Sequence, residues 1–263
     1  MWLITQRSGQ IDSHLFSYLM LDYTVDEELY NCAGLRVLRA HDSEGEDFLL
    51  KTFDATGVPK IYVDKFKSDT AFFVACKDMN ITSILDVVIE GSVTTIVYRY
   101  PAGGDLETLL QTRGDIFADS FVKSLCETVL HALSFIHENG VVHNAILPRN
   151  IVFSKSSSTP GWLEHIQLSS AHCSISLKQT IYDDFKQLAF LLCLLMKRNL
   201  STFLFSSFTP VVLKSTKWDH LTAEFIDFIE LMWVAENNEK DIEVFVTGTL
   251  LTFQILVFST LCL

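Results

Sequence analysis

The sequence predicts an α+β protein in which a small strand-rich part precedes a larger helical part. Three observations support this order. Residues 23–100 contain short apolar runs, a Pro-Ala-Gly-Gly break follows at Pro101–Gly104, and longer segments with a helical period come after it. Because 49% of the 263 residues are hydrophobic, the chain can bury a substantial core, and disorder over most of its length is excluded.

The first part has the pattern of an antiparallel sheet. Leu35–Ala40 and Phe48–Phe53 are predicted as strands joined by a hairpin turn around Gly45. Thr94–Tyr100 is predicted as another strand. The apolar spacing within residues 65–80 predicts a helix of modest amphipathicity between them.

The second part begins with a short helix capped by Asp105. A long helix is predicted over Asp119–Gly140, with Gly140 at its C-cap. Its apolar stripe consists of Phe121, Leu125, Val129, Leu133 and Ile136.

A strand pair and two more helices complete the second part. Ile151–Phe153 and His165–Ser169 are predicted to pair, because a Ser/Pro/Gly-rich loop joins them. The segment 183–199 is apolar nearly all round, which predicts a helix in the centre of a domain. Leu221–Trp233 is predicted as a further helix.

Charge and cysteine content limit the function classes. With 20 Lys+Arg against 32 Asp+Glu, the formal charge is −12, and the basic residues form no extended patch, so no nucleic-acid partner is expected. The six cysteines are scattered without close pairs, which predicts reduced thiols and a cytoplasmic location.

The C-terminal tail, Val244–Leu263, has 20 consecutive uncharged residues. At ~1.5 Å per residue this length suits a helix crossing the ~30 Å hydrocarbon core. No Lys or Arg flanks the segment beyond Lys240, and its β-branched and aromatic residues also suit packing against a domain. Two interpretations therefore stay open: a membrane anchor on a cytoplasmic face, or an alternative or truncated C terminus.

Several motifs resemble those of protein kinases. Val141–Phe153 resembles a kinase catalytic loop with its flanking strands, with His143 in the leading His position and Asn150 in the metal-ligand Asn position. Tyr98–Leu106 resembles the hinge, and Lys51 fits the phosphate-binding Lys of the third strand. The resemblance extends over roughly residues 25–234.

The resemblance implies a bilobal protein kinase-like fold. A β-rich N-lobe is expected over 25–100 and a helical C-lobe over 101–243, between an N-terminal extension, 1–24, and the tail, 244–263. Only 14 positions separate Ser170 from Asp184, so the activation segment is expected to be much shortened, without a platform for a peptide substrate.

The resemblance also implies site residues. Lys51, Asp69, Asp105 and Asn150 are expected to form a vestigial nucleotide site, with Asp69 in the place of the helix Glu that pairs with the Lys. His143 and Asp184 are expected to be structural, with the Asp184 side chain holding the catalytic loop.

Three degenerate positions predict a loss of catalysis. Ala145 replaces the catalytic Asp and cannot accept a proton, Ser170 replaces the metal-binding Asp, and Leu147 replaces the catalytic-loop Lys. No metal site is expected, because Asn150 would be the only ligand left.

The nucleotide-covering loop is also degenerate. Tyr30, Cys32 and Leu35 take its three glycine positions, with one displaced Gly34, and their side chains would hinder closure over phosphates. Tyr98 at the gatekeeper position would narrow an adenine pocket.

These losses lead to two functional hypotheses. The first is a pseudokinase, not an enzyme, that acts as a scaffold or allosteric regulator for an unidentified protein partner. The alternative is a low-activity, atypical serine/threonine protein kinase that binds ATP through Lys51 and Asn150. No cofactor is expected beyond weak, metal-independent ATP binding.

Overall fold

The structure is a computed structural model that describes residues 23–32, 35–112, 119–169 and 180–196, together with 226, 227, 229, 230 and 232. The described chain forms two compact units. The first contains the residues up to Lys77 and Thr82–Ala102, and the second contains Asp78–Ile81 and the residues from Gly103 onward.

The first unit is a five-stranded antiparallel sheet with one helix. The strands lie in the order β1-β2-β3-β5-β4. Their bounds are β1 Thr24–Cys32, β2 Leu35–His41, β3 Asp47–Asp54, β4 Ile84–Glu90 and β5 Val93–Arg99, and helix α1 spans Lys60–Ala75.

The β2–β3 hairpin confirms the predicted pair of strands. Gly45 has a φ of 80° in the turn between them, a conformation that a residue with a Cβ adopts only with strain. One face of the sheet is a packed core, because strand side chains alternate between the two faces. This core contains Leu38, Ala40, Phe48, Leu50 and Val97.

Strand β1 was not predicted from the sequence. Its segment is polar and acidic, as suits a strand that lies at the edge of the sheet and, among the described strands, pairs with β2 alone. A cross-strand ion pair supports this pairing, with Arg36 Nη2 2.6 Å from Glu28 Oε2.

Helix α1 begins five residues before its predicted start. Pro59 precedes it with φ −56°, and the Lys60 Nζ–Asp64 Oδ2 pair at 2.7 Å spans its first turn. The helix ends at Ala75 because Cys76 is extended. Phe66 of α1 stacks on Phe53 of β3 with ring centroids 4.5 Å apart, which places α1 over the Phe53 face of the sheet.

The second unit is mainly helical. Its elements are α2 Leu106–Thr112, α3 Asp119–Glu138, β6 Ile151–Phe153, β7 Ile166–Leu168 and α4 Ile181–Met196, with short 3-10 helices at Pro148–Asn150 and Trp162–Glu164.

Helix α3 confirms the predicted long helix and its buried stripe. Phe121 is 6% exposed, and the other four stripe residues are completely buried. The helix ends where Gly140 takes a φ of 71° and donates its N–H to the carbonyl of His137.

The predicted strand pair, β6–β7, is antiparallel, and Phe153 at the end of β6 is closely packed. Phe153 N donates to the carbonyl of Gly104, and Gly103 N donates to the carbonyl of Phe153, both at 2.9 Å. The Phe153 ring packs edge-on against Trp162, with ring centroids 5.1 Å apart. These contacts fix the chain directly after the 3-10 helix Pro148–Asn150.

Helix α4 confirms the predicted central helix: Phe185, Leu188 and Leu192 are almost completely buried. Of the predicted helix at Leu221–Trp233, the five described residues are helical, and Ile229 and Met232 are buried.

No helix in the described part of the chain is both long and apolar enough to cross a membrane. The tail, Val244–Leu263, lies outside the described residues.

Candidate functional site: a catalytic loop and a buried lysine

The loop between α3 and β6, residues 141–147, is held by the Asp184 side chain. Asp184 is fully buried in the first turn of α4. Its Oδ2 accepts a hydrogen bond from His143 N at 2.8 Å, and its Oδ1 accepts one from Asn144 N at 2.6 Å. Asn144 has a φ of 65°, which is uncommon for a residue with a side chain. The helix therefore fixes the loop in a conformation that it would rarely adopt alone.

Two histidine side chains complete this arrangement. His137 Nε2, at the end of α3, lies 2.8 Å from Asp184 Oδ2. His143 donates from Nε2 to the carbonyl of Ser169 at 2.8 Å and accepts at Nδ1 from Ala145 N at 3.3 Å. Through these two bonds the His143 ring joins the loop to the end of β7. Sequence reasoning missed His137, although a histidine in the last turn of a long helix was a visible signal.

Asn150 is buried, and only one of the two polar atoms of its side-chain amide has a hydrogen-bond partner among the described residues. Its Nδ2 donates to the carbonyl of Ala145 at 2.9 Å. Its Oδ1 is buried with no hydrogen-bond partner among the described residues. A buried carbonyl oxygen without a partner is costly, which makes this atom a candidate ligand for a cation or a bound polar group.

Gln187, one turn after Asp184 on α4, also binds the loop. Its Oε1 accepts from Ile146 N at 2.7 Å, and its Nε2 donates to the carbonyl of Asn144 at 3.4 Å. Sequence reasoning missed this residue. The available signal was an uncharged polar side chain three residues after Asp184, and therefore on the same face of the helix.

The degenerate loop positions are both described. Ala145 is 3% exposed and carries no acid–base group, and Leu147 is 38% exposed and precedes the 3-10 helix. Ser170 lies outside the described residues. Among the described residues, no group of three or more His, Cys, Asp or Glu side chains could hold a metal ion.

The first unit contains the predicted phosphate-binding lysine. Lys51 is 2% exposed in the central strand β3, on the same face as Phe53 and hence on the side covered by α1. Its Nζ lies 5.3 Å from the ring centroid of Tyr98, which is fully buried on β5. This distance is that of a cation–π interaction. The predicted gatekeeper therefore contacts the predicted phosphate-binding residue.

Asp69 does not have the partner that its predicted position implies. Its Oδ2 lies 2.6 Å from Lys65 Nζ, one turn earlier on α1. The Asp69 carboxylate is thus paired within its own helix, because a side chain one methylene shorter than Glu reaches the neighbouring turn more readily than strand β3.

The remaining predicted positions lie in regular structure. Tyr30 and Cys32 are in β1 and Leu35 is in β2, paired as Tyr30 with Val37 and Cys32 with Leu35, while Gly34 lies outside the described residues. Asp105 caps α2, with Oδ1 accepting from Thr108 N at 2.8 Å. The capping prediction is thereby confirmed, and a nucleotide-binding role for Asp105 stays a prediction.

Comparison with known proteins identifies the family. The model of the protein kinase domain matches residues 32–169, slightly more than half of the chain. A probable serine/threonine-protein kinase of Clostridium acetobutylicum is 30% identical over 49% of this chain. The serine/threonine-protein kinase ppk31 of Schizosaccharomyces pombe is 25% identical over 70% of this chain. The chain spans 17% of the length of each of these two relatives.

The fold is that of a solved kinase structure. The crystal structure of Rad53 1-466 in complex with AMP-PNP matches 82% of this chain and 61% of that chain, with a TM-score of 0.63 and 16% identity. The match confirms the α+β protein kinase-like fold predicted from the sequence.

The comparisons also correct one prediction. The expectation that the chain is not an enzyme is contradicted, because the matched relatives are named as serine/threonine protein kinases and the matched domain model is that of protein kinases. The losses at Ala145 and Leu147 are departures within that family and do not place the chain outside it. From the fold, the loop held by α4 and the matched domain together, the chain is a member of the protein kinase family.

Proposed function

We propose that the chain is an atypical, ATP-binding serine/threonine protein kinase domain of low phosphotransfer activity. The observation that carries this proposal is Asn150, whose buried Oδ1 has no hydrogen-bond partner among the described residues while its Nδ2 is bound to the Ala145 carbonyl. A structural asparagine would be expected to satisfy both amide atoms, so the free oxygen supports a binding role.

Lys51 supports nucleotide binding from the first unit. Lys51 is a buried cation, 2% exposed, and the face of the Tyr98 ring, 5.3 Å from its Nζ, is one of the groups that stabilise its charge. In protein kinases the lysine of this strand binds ATP phosphates. A phosphate group would be attracted electrostatically to this buried cation.

The residues present fit a nucleotide better than they fit a tightly held metal ion. Mg²⁺ prefers oxygen ligands, carboxylates above all, and Asn150 supplies one neutral oxygen. Without a base at Ala145, the transfer step also lacks a contribution of roughly 10²–10⁴-fold in rate. Weak cation binding is therefore expected from the single Asn150 ligand, and slow phosphate transfer from the missing base at Ala145.

The test is incorporation of radiolabelled phosphate from ATP with Mn²⁺ or Mg²⁺. Wild-type protein is expected to show slow incorporation, on itself or on a generic protein substrate, that Lys51→Ala abolishes. Lys155→Ala is the matched control, because Lys155 is an exposed lysine outside the site and its loss should change nothing.

A restoring variant makes the test sharper. Ala145→Asp returns the missing base and is expected to raise the wild-type rate by about 10²-fold. Incorporation that survives Lys51→Ala unchanged would indicate a contaminating kinase and contradict the proposal, as would the absence of incorporation in both wild-type and Ala145→Asp protein.

A thermal-shift titration separates binding from transfer. ATP should raise the unfolding midpoint of wild-type protein, because a ligand that binds only the native state stabilises it. The part of the shift that depends on Mn²⁺ should disappear in Asn150→Ala. A shift that is identical with and without Mn²⁺ would support the metal-independent binding expected from the sequence.

A further inference from the structure

We propose that Gln187 is a positioning residue that orients the amide of Asn150 through a single shared peptide group. The proposal rests on the ligand-binding role of Asn150 in the proposed function. It assigns a role to a residue of α4 whose side-chain hydrogen bonds, among the described residues, are to backbone atoms of the loop.

The shared peptide group joins Ala145 and Ile146. Its N–H donates to Gln187 Oε1 at 2.7 Å. Its carbonyl oxygen accepts from Asn150 Nδ2 and from Leu147 N, both at 2.9 Å. Gln187 and Asn150 therefore hold opposite ends of one rigid, planar unit, because a peptide group does not bend appreciably. A rotation of this plane would move both contacts together.

The chemistry of the partners fixes the orientation of both side-chain amides. Gln187 faces one N–H and one carbonyl, so its oxygen must lie at Ile146 N and its nitrogen at the Asn144 carbonyl. Asn150 faces the Ala145 carbonyl, so its nitrogen must point there. The atom left over is Oδ1, which is the oxygen that a cation or a donor group would need.

Gln187 completes a series of contacts begun by Asp184. Asp184 accepts from the N–H groups of His143 and Asn144, and Gln187 binds the next free groups along the loop. Helix α4 thus holds three of the four consecutive N–H groups from 143 to 146, and the fourth, Ala145 N, donates to His143 Nδ1. Because each of these four N–H groups has a partner, the Ala145 carbonyl oxygen is held in one direction, and Asn150 Nδ2 must donate to it from there.

The simpler explanation is that Gln187 only satisfies two backbone groups and adds stability. The two explanations predict different results for the Gln187→Glu variant. A glutamate keeps the acceptor for Ile146 N and loses the donor to the Asn144 carbonyl, so it preserves the bond that acts on the shared peptide group. Gln187→Leu, of similar size, removes both bonds.

The first measurement reads the Asn150 amide directly, without any ligand. In the ¹⁵N-labelled full chain, the Asn150 side-chain signals are those lost in Asn150→Asp. Gln187→Leu should shift these signals and raise their exchange rate with water about tenfold, while Gln187→Glu should leave them close to wild type. Leu192→Ala is the control for lost stability, because Leu192 is a fully buried α4 residue whose apolar side chain makes no hydrogen bond to the loop.

The second measurement is the Mn²⁺-dependent part of ATP affinity. Gln187→Leu should weaken this affinity about tenfold, which is the usual effect of losing a residue that orients a metal-binding side chain. Gln187→Glu should weaken it little. The affinity for ATP without metal should not change.

The outcomes separate the two proposals. Unmoved Asn150 signals in Gln187→Leu, or equal shifts in Gln187→Leu and Leu192→Ala, would overturn the role of Gln187. If the signals move as expected while wild-type protein binds no ATP, the proposed function fails and the positioning of Asn150 by Gln187 stands. If Gln187→Leu does not fold, a Gln187→Glu variant with fully displaced Asn150 signals would also refute the proposal.

Discussion

Removing the Asp184 carboxylate should destabilise the second unit more than any other single polar change described here. In Asp184→Ala, the N–H groups of His143 and Asn144 and the ring of His137 lose their acceptor in a fully buried place. Each unsatisfied buried donor costs about 1–3 kcal/mol, and breaking a buried charged network costs about 3–5 kcal/mol in total. We expect a loss of about 3–5 kcal/mol in the free energy of unfolding.

The substitution Asp184→Asn sharpens the argument because it keeps the shape of the side chain. One oxygen becomes an NH₂ group that must face an N–H donor, so about 2 kcal/mol should still be lost. Asp183→Asn is the matched control. Asp183 Oδ2 accepts from Thr180 N at 2.7 Å at the start of α4, and an asparagine oxygen can take over that bond.

Urea denaturation of the three variants, followed by circular dichroism, measures these differences. The expected order of stability is wild type, Asp183→Asn, Asp184→Asn and Asp184→Ala, with the first two within about 0.5 kcal/mol of each other. Equal losses for Asp183→Asn and Asp184→Asn would refute the reasoning, as would a loss below about 1 kcal/mol for Asp184→Ala.

Three further predictions concern packing, thiols and pH. Gly103→Ala should lower the free energy of unfolding by about 1–3 kcal/mol, because an added Cβ would collide with the Lys155 carbonyl oxygen and lie 2.6 Å from the Phe153 Cβ; a thermal midpoint equal to wild type would contradict this. Burial raises the pKa of the Cys193 thiol to about 12 and raises the pKa of Cys126 further, with the nearby Glu127 charge contributing to the latter. Alkylation at pH 8 should therefore reach Cys126 and Cys193 only when urea unfolds the chain, as peptide mapping would show, and rapid labelling of the native protein would be inconsistent with their burial. Hydrogen bonds from the Thr56 side chain and backbone, and from Ser92, hold the pKa of Asp54 below its usual value. Because a lowered folded-state pKa stabilises the protein above the unfolded-state pKa of about 4, Asp54→Asn should be less stable than wild type at pH 7. The difference should shrink as the pH falls below about 4, and a difference that is constant with pH in denaturation curves would exclude this carboxylate as the cause.

The sequence predicted the elements whose apolar pattern matches their packing. The stripe from Phe121 to Ile136 repeats at helical spacing, and the structure buries all of it. Strand β1 was not predicted because its polar sequence, at the edge of the sheet, has no alternation of apolar and polar residues. The start of α1 was misplaced because Pro59, rather than hydrophobic spacing, determines where the helix begins.

The site was predicted only as far as positions in the chain allow. Lys51, His143, Asn150 and Asp184 were identified through the resemblance to protein kinase motifs, and the structure places all four in buried surroundings. Spacing could not show that Asp69 pairs with Lys65, because that choice depends on side-chain length and reach. Spacing also could not identify Gln187, because its hydrogen bond is to a peptide N–H group 41 residues away in the sequence.

The contacts between α4 and the catalytic loop also bear on the order of folding. Every hydrogen bond that Asp184 and Gln187 make to the loop, or to His137, joins residues 40–47 positions apart. Helix α3 and the β2–β3 hairpin, by contrast, close over short stretches of chain. Contacts with large sequence separation carry a high loop-closure entropy and tend to form late. Losing them should therefore speed unfolding much more than it slows folding, so the lifetime of the native second unit depends on a few side chains of one helix.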